Sequence, residues 1–180
     1  MPPGAARLFF AAWPPAELQQ ALGKLARHLA RQCGGRAIPP RNIHLTLAFL
    51  GSVDRGRVAR LEEIAAAIPA RGFELIVERV EYWRHNRIVW AGVAHCPEAL
   101  QALVSRLGEA FAPEGFRFDR RPYVPHITLL RDARNVPSVP AIPPVRWPVS
   151  RLALVESVPA AKGPVYEVLR DWPLSTQMSA

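Results

Sequence analysis

The stretch Asn42-Ile43-His44-Leu45-Thr46-Leu47-Ala48-Phe49-Leu50-Gly51 decides how the rest of the chain is read. It has a partner in Tyr123-Val124-Pro125-His126-Ile127-Thr128-Leu129-Leu130-Arg131. Each is a short apolar run in which a histidine and a threonine stand two residues apart. That is the pattern of a strand, whose side chains alternate between faces with a period of two. On this reading His44 and Thr46 share one face against Leu45 and Leu47, and His126 and Thr128 share one against Ile127 and Leu129. Such a strand buries its leucines under a helix layer and holds an imidazole and a hydroxyl out to a groove. The chain has three threonines, and two of them follow a histidine in this way. The duplication sets this pair apart from two ordinary strand histidines, a reading that either motif alone would leave open.

Composition bounds the rest. The 180 residues predict one domain, 1–180, large enough for a substantial core. With 49% hydrophobic and 21% charged residues the chain has the make-up of a soluble globular protein. No apolar run approaches the ~20 residues that span a membrane. Leu8 to Trp13 is too short for a signal core, and Pro14-Pro15 follow at once, so a cytoplasmic location is expected. The formal charge is +8, and 21 of the 23 basic residues are arginine. The planar guanidinium fork suits bidentate phosphate contacts, which favours polyanions and RNA in particular, although a solvated arginine-rich surface would look the same. Cys33 and Cys96 lack metal-ligand spacing and are expected to be reduced and inert.

Along the chain, Arg7–Trp13 reads as a first strand, and Pro15 opens a helix with an apolar stripe of Leu18, Ala21, Leu22, Leu25, Ala26 and Leu29. Gly34-Gly35 ends it. The first motif strand follows Pro39-Pro40 and is expected to break at Gly51-Ser52. Asp54 caps a second helix carrying Val58, Leu61, Ile64, Ala65 and Ile68. Phe73–Trp83 and Arg87–Ala94 form a hairpin about His85-Asn86. Pro97 opens a third helix with Leu100, Leu103, Val104, Leu107 and Phe111. Phe116–Phe118 is expected as a short strand before the second motif. The proline-rich Val136–Pro148 is expected as a stiff surface connection. A last hairpin pairs Ser150–Ser157 with Val165–Arg170, and Ser175–Ala180 is expected as a loose tail. The order is strand, helix, motif strand, helix, hairpin, helix, motif strand, hairpin: an α+β fold with helices outside antiparallel sheet.

The paired His-Leu-Thr-Leu and His-Ile-Thr-Leu resemble the two signature motifs of the two-histidine (2H) phosphoesterases. The longer strings resemble the bacterial RNA 2′,3′-cyclic phosphodiesterases, also called 2′-5′ RNA ligases. The resemblance implies two pseudo-symmetric lobes around a central groove, one motif strand from each. It implies hydrolysis of RNA 2′,3′-cyclic phosphate ends to 2′-phosphates, with reversible 2′-5′ ligation. It also implies the division of labour: His44 as proton donor to the leaving 3′ oxygen and His126 as proton acceptor from water. The partner expected is RNA with a 2′,3′-cyclic end, of the size of a tRNA fragment or oligonucleotide, met by a monomer.

The residue types fit that chemistry. Opening a cyclic phosphodiester takes a base for water and an acid for the departing oxygen, and histidine serves both roles near neutral pH. Two close imidazoles resist being charged together, so their titrations separate. The residues alone leave open which is acid and which is base. The hydroxyls of Thr46 and Thr128 can donate to the phosphoryl oxygens. No metal or cofactor is expected, because the motifs hold no carboxylate to complete a metal site. Arg131, five residues past His126, would bind phosphate and lower that histidine's pKa, but the period-two count sets it on the opposite face. Tyr123, Trp90 and Trp83 are candidates to stack on a base or ribose. His28, His85 and His95 are expected to be structural or exposed. Two other readings compete: the same chemistry on small cyclic nucleotides or a cyclic phosphate of ADP-ribose, and a non-catalytic basic RNA-binding module.

Overall fold

The structure, a computed structural model, describes residues 4–119, 121–138, 141–161 and 163–175. Strand β1 (Ala5–Ala12) leads into helix α1 (Ala16–Cys33), then β2 (Arg36–Ala37), a 3₁₀ turn at Pro40–Asn42 and β3 (Leu45–Asp54). Helix α2 (Val58–Ala67) is followed by β4 (Phe73–Trp83), β5 (Ile88–Gly92) and α3 (Glu98–Phe111). The chain ends in β6 (His126–Arg131), β7 (Ala141–Val149), β8 (Arg151–Val158) and β9 (Val165–Pro173).

The strands form one sheet in the order β7-β4-β5-β6-β3-β1-β8-β9, with β2 beside β6. Neighbours in it run antiparallel. Read from the centre outward it is two four-stranded lobes, each led by a motif strand: β6-β5-β4-β7 and β3-β1-β8-β9. They meet where Leu45 pairs with Ile127. Helix α1 follows β1 of one lobe but packs against β6 and β2 of the other, while α3 packs against β3. One core lies beneath the helices, anchored by Phe10, Leu45, Leu100, Phe111, Leu129 and Trp147. The other face of the sheet carries a small apolar bed of Phe9, Ala11, Ala153 and Val155, edged by Trp13 and Tyr166.

Both motif strands slip phase at the same place. In the pairing of β1 with β3, Phe10 faces Ala48 and Ala11 faces Thr46, so Leu47 is passed over. In the pairing of β5 with β6, Val89 faces Leu130 and Trp90 faces Thr128, so Leu129 is passed over. Each bulge falls three residues past its histidine and shifts the side-chain alternation by one. Burial follows: Leu47 and Ala48 are both buried before exposed Phe49, and Leu129 and Leu130 before exposed Arg131. The fifth residue past each histidine is thereby turned to the histidine's face.

Several expectations are corrected. Gly51-Ser52 does not end β3: Gly51 takes a φ of 71° at a second register shift, and pairing resumes with Arg7 against Ser52 and Ala5 against Asp54. Phe116–Phe118 forms no strand; the Phe118 ring instead lies over Gly108, where a Cβ would stand 2.7 Å from it. Val136–Pro148 is not merely a surface connection. Its second half is β7, an edge strand whose Trp147 and Val149 are buried against β4. An edge strand tolerates proline because half its N–H groups have no strand to bond, and Pro143 and Pro144 fall where the register with β4 shifts. Pro140 lies outside the described residues. In α1, Ala21 faces solvent, and Gly23 and Cys33 join the buried stripe instead. Ser175 is no loose end, since it accepts a hydrogen bond from Gly72 N and donates one to Ala70 O; residues 176–180 lie outside the description.

Gly35 holds the turn from α1 into β2 at φ 85°, and a Cβ there would stand 2.6 Å from Arg131 O and 2.8 Å from Ala133 N. Gly115 has a similar φ of 71° but open space around it. Gly35→Ala should therefore cost about 1–3 kcal/mol in denaturant unfolding, more than Gly115→Ala, which bears the backbone term alone. Equal losses in the two variants would mean that the close approach to β6 contributes nothing.

Candidate active site

His44 and His126 stand one residue before the bridging pair Leu45 and Ile127. In an antiparallel register that sets His44 across from Thr128 and Thr46 across from His126. The four side chains and Arg131 line one groove between the lobes. The groove is also lined by Arg7, Phe9, Phe49 and Tyr166, from β1, β3 and β9.

Each imidazole is fixed by the same local device. Nδ1 of His44 lies 2.7 Å from Asn42 O, and Nδ1 of His126 lies 2.8 Å from Val124 O. A carbonyl only accepts, so each Nδ1 carries the hydrogen and each Nε2 is left to do chemistry. Asn42 is itself buried and donates its side-chain amide to Pro164 O at 2.8 Å, which ties the first motif to the β8–β9 turn. Nε2 of His44 is 3.0 Å from the Thr46 hydroxyl, which donates to it while the ring is neutral. Among the described residues, Nε2 of His126 has no such bond.

The walls are aromatic. The His44 ring stacks on Trp13 at 5.2 Å and touches Phe9 and Tyr166, each at 5.1 Å. The His126 ring meets the edges of Trp83 at 4.6 Å and Trp90 at 6.2 Å. Burial in such surroundings disfavours the imidazolium. His44 is pushed down to about 4, by burial first, and the charges of His126 and Arg131 add to that against the pull of the Asn42 carbonyl. His126 is lowered too, by burial and then by Arg131, against its own bond to Val124. His44 thus feels the other ring, and both rings feel one guanidinium.

Five of the residues singled out in the sequence, His44, Thr46, His126, Thr128 and Arg131, are brought together here. The period-two count that set Arg131 on the far face fails because the bulge at Leu129 adds a residue. Tyr123 and Trp90 stand behind the groove and not in it. The Tyr123 hydroxyl donates to Thr46 O at 2.9 Å, pinning the first motif strand, and burial raises its pKa. Trp90 is buried beside Trp83 as a backing for His126. Sequence reasoning missed Phe9, Trp13, Tyr166 and Arg7. The alternation of Arg7, Leu8 and Phe9 in β1 was the one signal that could have found two of them. The described residues hold no group of three or more His, Cys, Asp or Glu side chains able to bind a metal, and no helix among them is long and apolar enough to cross a membrane.

The sequence and fold have close parallels. The 2′-5′ RNA ligase superfamily profile matches residues 14–159. A protein of Escherichia coli named RNA 2′,3′-cyclic phosphodiesterase is 36% identical over 172 residues, 94% of this chain and 97% of its own. One of the same name from Thermus thermophilus is 34% identical over 93% of this chain and 90% of its own. The crystal structure of E. coli LigT complexed with 3′-AMP superposes with a TM-score of 0.85 at 34% identity, covering 95% of this chain and 99% of that one. With the profile covering most of its length and relatives matched nearly end to end, the chain belongs to the 2′-5′ RNA ligase superfamily.

Proposed function

We propose that this protein hydrolyses the 2′,3′-cyclic phosphate end of RNA to a 2′-phosphate, with no metal in the reaction. The observation that carries this reading is the matched pair of imidazoles. Each is locked through Nδ1 to the carbonyl two residues before it, and each turns Nε2 to one groove that also holds Arg131. His126 takes a proton from water, the water oxygen attacks phosphorus in line, and the bond to O3′ breaks. His44 gives its proton to O3′, leaving phosphate on O2′. Arg131 and the two threonine hydroxyls bind the phosphoryl oxygens as charge grows on them. With a 5′-hydroxyl in place of water the same sequence joins it to the cyclic end as a 2′-5′ link: His126 takes the hydroxyl proton, the P–O3′ bond breaks and His44 protonates O3′. The relatives' names point to the same substrate class, and an RNA end is the partner proposed here.

The acid must carry a proton that burial denies it. With its pKa at about 4, His44 alone would be charged in roughly one molecule in a thousand at pH 7. Restoring that proton calls for about 4 kcal/mol. One phosphate negative charge about 4 Å away supplies about that much at the effective dielectric of a partly buried site. Substrate binding thus loads the acid, while His126, neutral because it too is depressed, is ready as base.

Two tests follow. His44→Ala and His126→Ala should each lower kcat on a short RNA with a 2′,3′-cyclic end by roughly 100-fold or more. Activity within about tenfold of wild type in either variant would end the acid–base reading, and turnover of cyclic mononucleotides alone would move the substrate to small nucleotides. In pH profiles of the wild type, the limb lost to rising pH reports His44. It should lie below pH 6.5 in kcat/KM, where the free protein titrates, and at higher pH in kcat, where bound phosphate raises the imidazolium's pKa. A kcat/KM limb above pH 7, or one that survives in His44→Ala, would take His44 out of the acid's role.

A further inference from the structure

One flank of the molecule is charged differently from the rest. Residues 18–53 hold one lysine, four arginines and no carboxylate. Elsewhere carboxylates stand beside arginines, as Glu114 does beside Arg60, Glu74 beside Arg146 and Glu62 beside Arg170. On this flank, among the described residues, Lys24, Arg27, Arg31, Arg41 and Arg134 are in no ion pair. Arg36 does bond Asp132, at 2.8 Å, but that carboxylate also has Arg87 at 3.8 Å, so positive charge stays in excess. Sorting the carboxylates away leaves these cations to an anion from outside.

The charges are ordered, and they lead to the groove. Lys24, Arg27 and Arg31, at i, i+3 and i+7, make one exposed stripe about 10 Å long on α1, opposite its buried Leu22, Ala26 and Leu29. Helix α1 is pressed against the turn that leads to His44. A Cβ on Gly23 would stand 2.7 Å from the Pro40 ring, and the Gln19 side chain donates to Ile43 O at 3.4 Å. Arg41 is exposed in that turn. At the far end of the helix, the Arg134 side chain lies along Gly34, where a Cβ would stand 3.4 Å from it. Arg36 pairs directly with Arg131 across β2 and β6, so the two guanidinium groups rise on one face of the sheet. Arg131 lines the groove, and the basic surface thus reaches the site.

The groove's cavity is about 160 Å³, well short of the roughly 300 Å³ or more that encloses a drug-sized ligand. It has room for little beyond the cyclic phosphate and its ribose, and the chain leading up to them must lie on the surface. We propose that the exposed stripe of α1 is the seat of that upstream RNA chain. Its phosphodiester backbone leaves the groove past Arg131 and Arg36 and follows Lys24, Arg27 and Arg31. This rests on the groove being the cyclic-phosphate site. Contacts to phosphate carry no sequence information, so the surface should reward length without reading bases.

The test compares an oligoribonucleotide of about ten nucleotides bearing a 2′,3′-cyclic end with cytidine 2′,3′-cyclic phosphate. In the wild type the oligomer should have the lower KM, and its kcat/KM should fall more steeply with salt. Changing Lys24→Gln, Arg27→Gln and Arg31→Gln together should raise KM for the oligomer by about tenfold, with kcat and the mononucleotide constants little changed. The salt slope for the oligomer should become shallower by about 2, since each single-strand phosphate contact contributes about 0.7. Arg71→Gln, Arg117→Gln and Arg151→Gln together remove the same charge from elsewhere and should do neither. Equal salt slopes for the two substrates in the wild type would overturn the path without any variant. So would an oligomer KM untouched by the α1 changes, equal losses on both substrates, or the same loss in the control set. Fluorescence anisotropy with an oligomer ending in a 2′-phosphate reads the surface without turnover. Binding that depends on α1, in a wild type that hydrolyses no cyclic end, would sink the proposed reaction and keep the surface. Hydrolysis of both substrates, with binding indifferent to α1, would sink the surface and keep the reaction.

Discussion

A single bridging pair, Leu45 against Ile127, ties the two lobes into one sheet at their inner strands. The histidines precede these two residues, so the pairing that joins the lobes also brings the two rings into one groove. Everything else about the site is adjustment around that joint. The carbonyls of Asn42 and Val124 set the ring tautomers, and the hydroxyl of Tyr123 fastens the first motif strand from behind. A change that disturbs the joint would reach both catalytic candidates together.

The apolar bed beneath the groove serves stability and chemistry at once. Phe9, Trp13 and Tyr166 bury against one another and against His44, and Trp83 and Trp90 do the same for His126. The same burial strips water from the imidazoles and depresses both. In the proposed reaction that burial, with Arg131, keeps the base neutral, and it makes the acid's proton depend on an anion arriving. On that proposal the hydrophobic floor couples protonation to substrate binding.

Much of this was legible in the residues. The period of two in each motif placed the histidines and threonines, and apolar stripes at helical spacing found all three helices. What escaped was set by partners far along the chain. Arg131 looked misdirected because a bulge arises from how β6 lies against β5, and nothing in the local string marks it. The same slip turned Phe49 outward. The proline-rich stretch read as a connection because its role as an edge strand depends on β4 offering it a place. Tyr123 and Trp90 had the right chemistry for stacking but the wrong depth, which only the packed core decides. Phe9 and Tyr166 reach the groove from strands whose neighbours cannot be known before the sheet is assembled.

The helices cross over between the lobes: α1 starts from one and covers the other, while α3 covers the first. Two halves that wear each other's coats share one dry interior, so neither could keep its own leucines from water if the other were taken away.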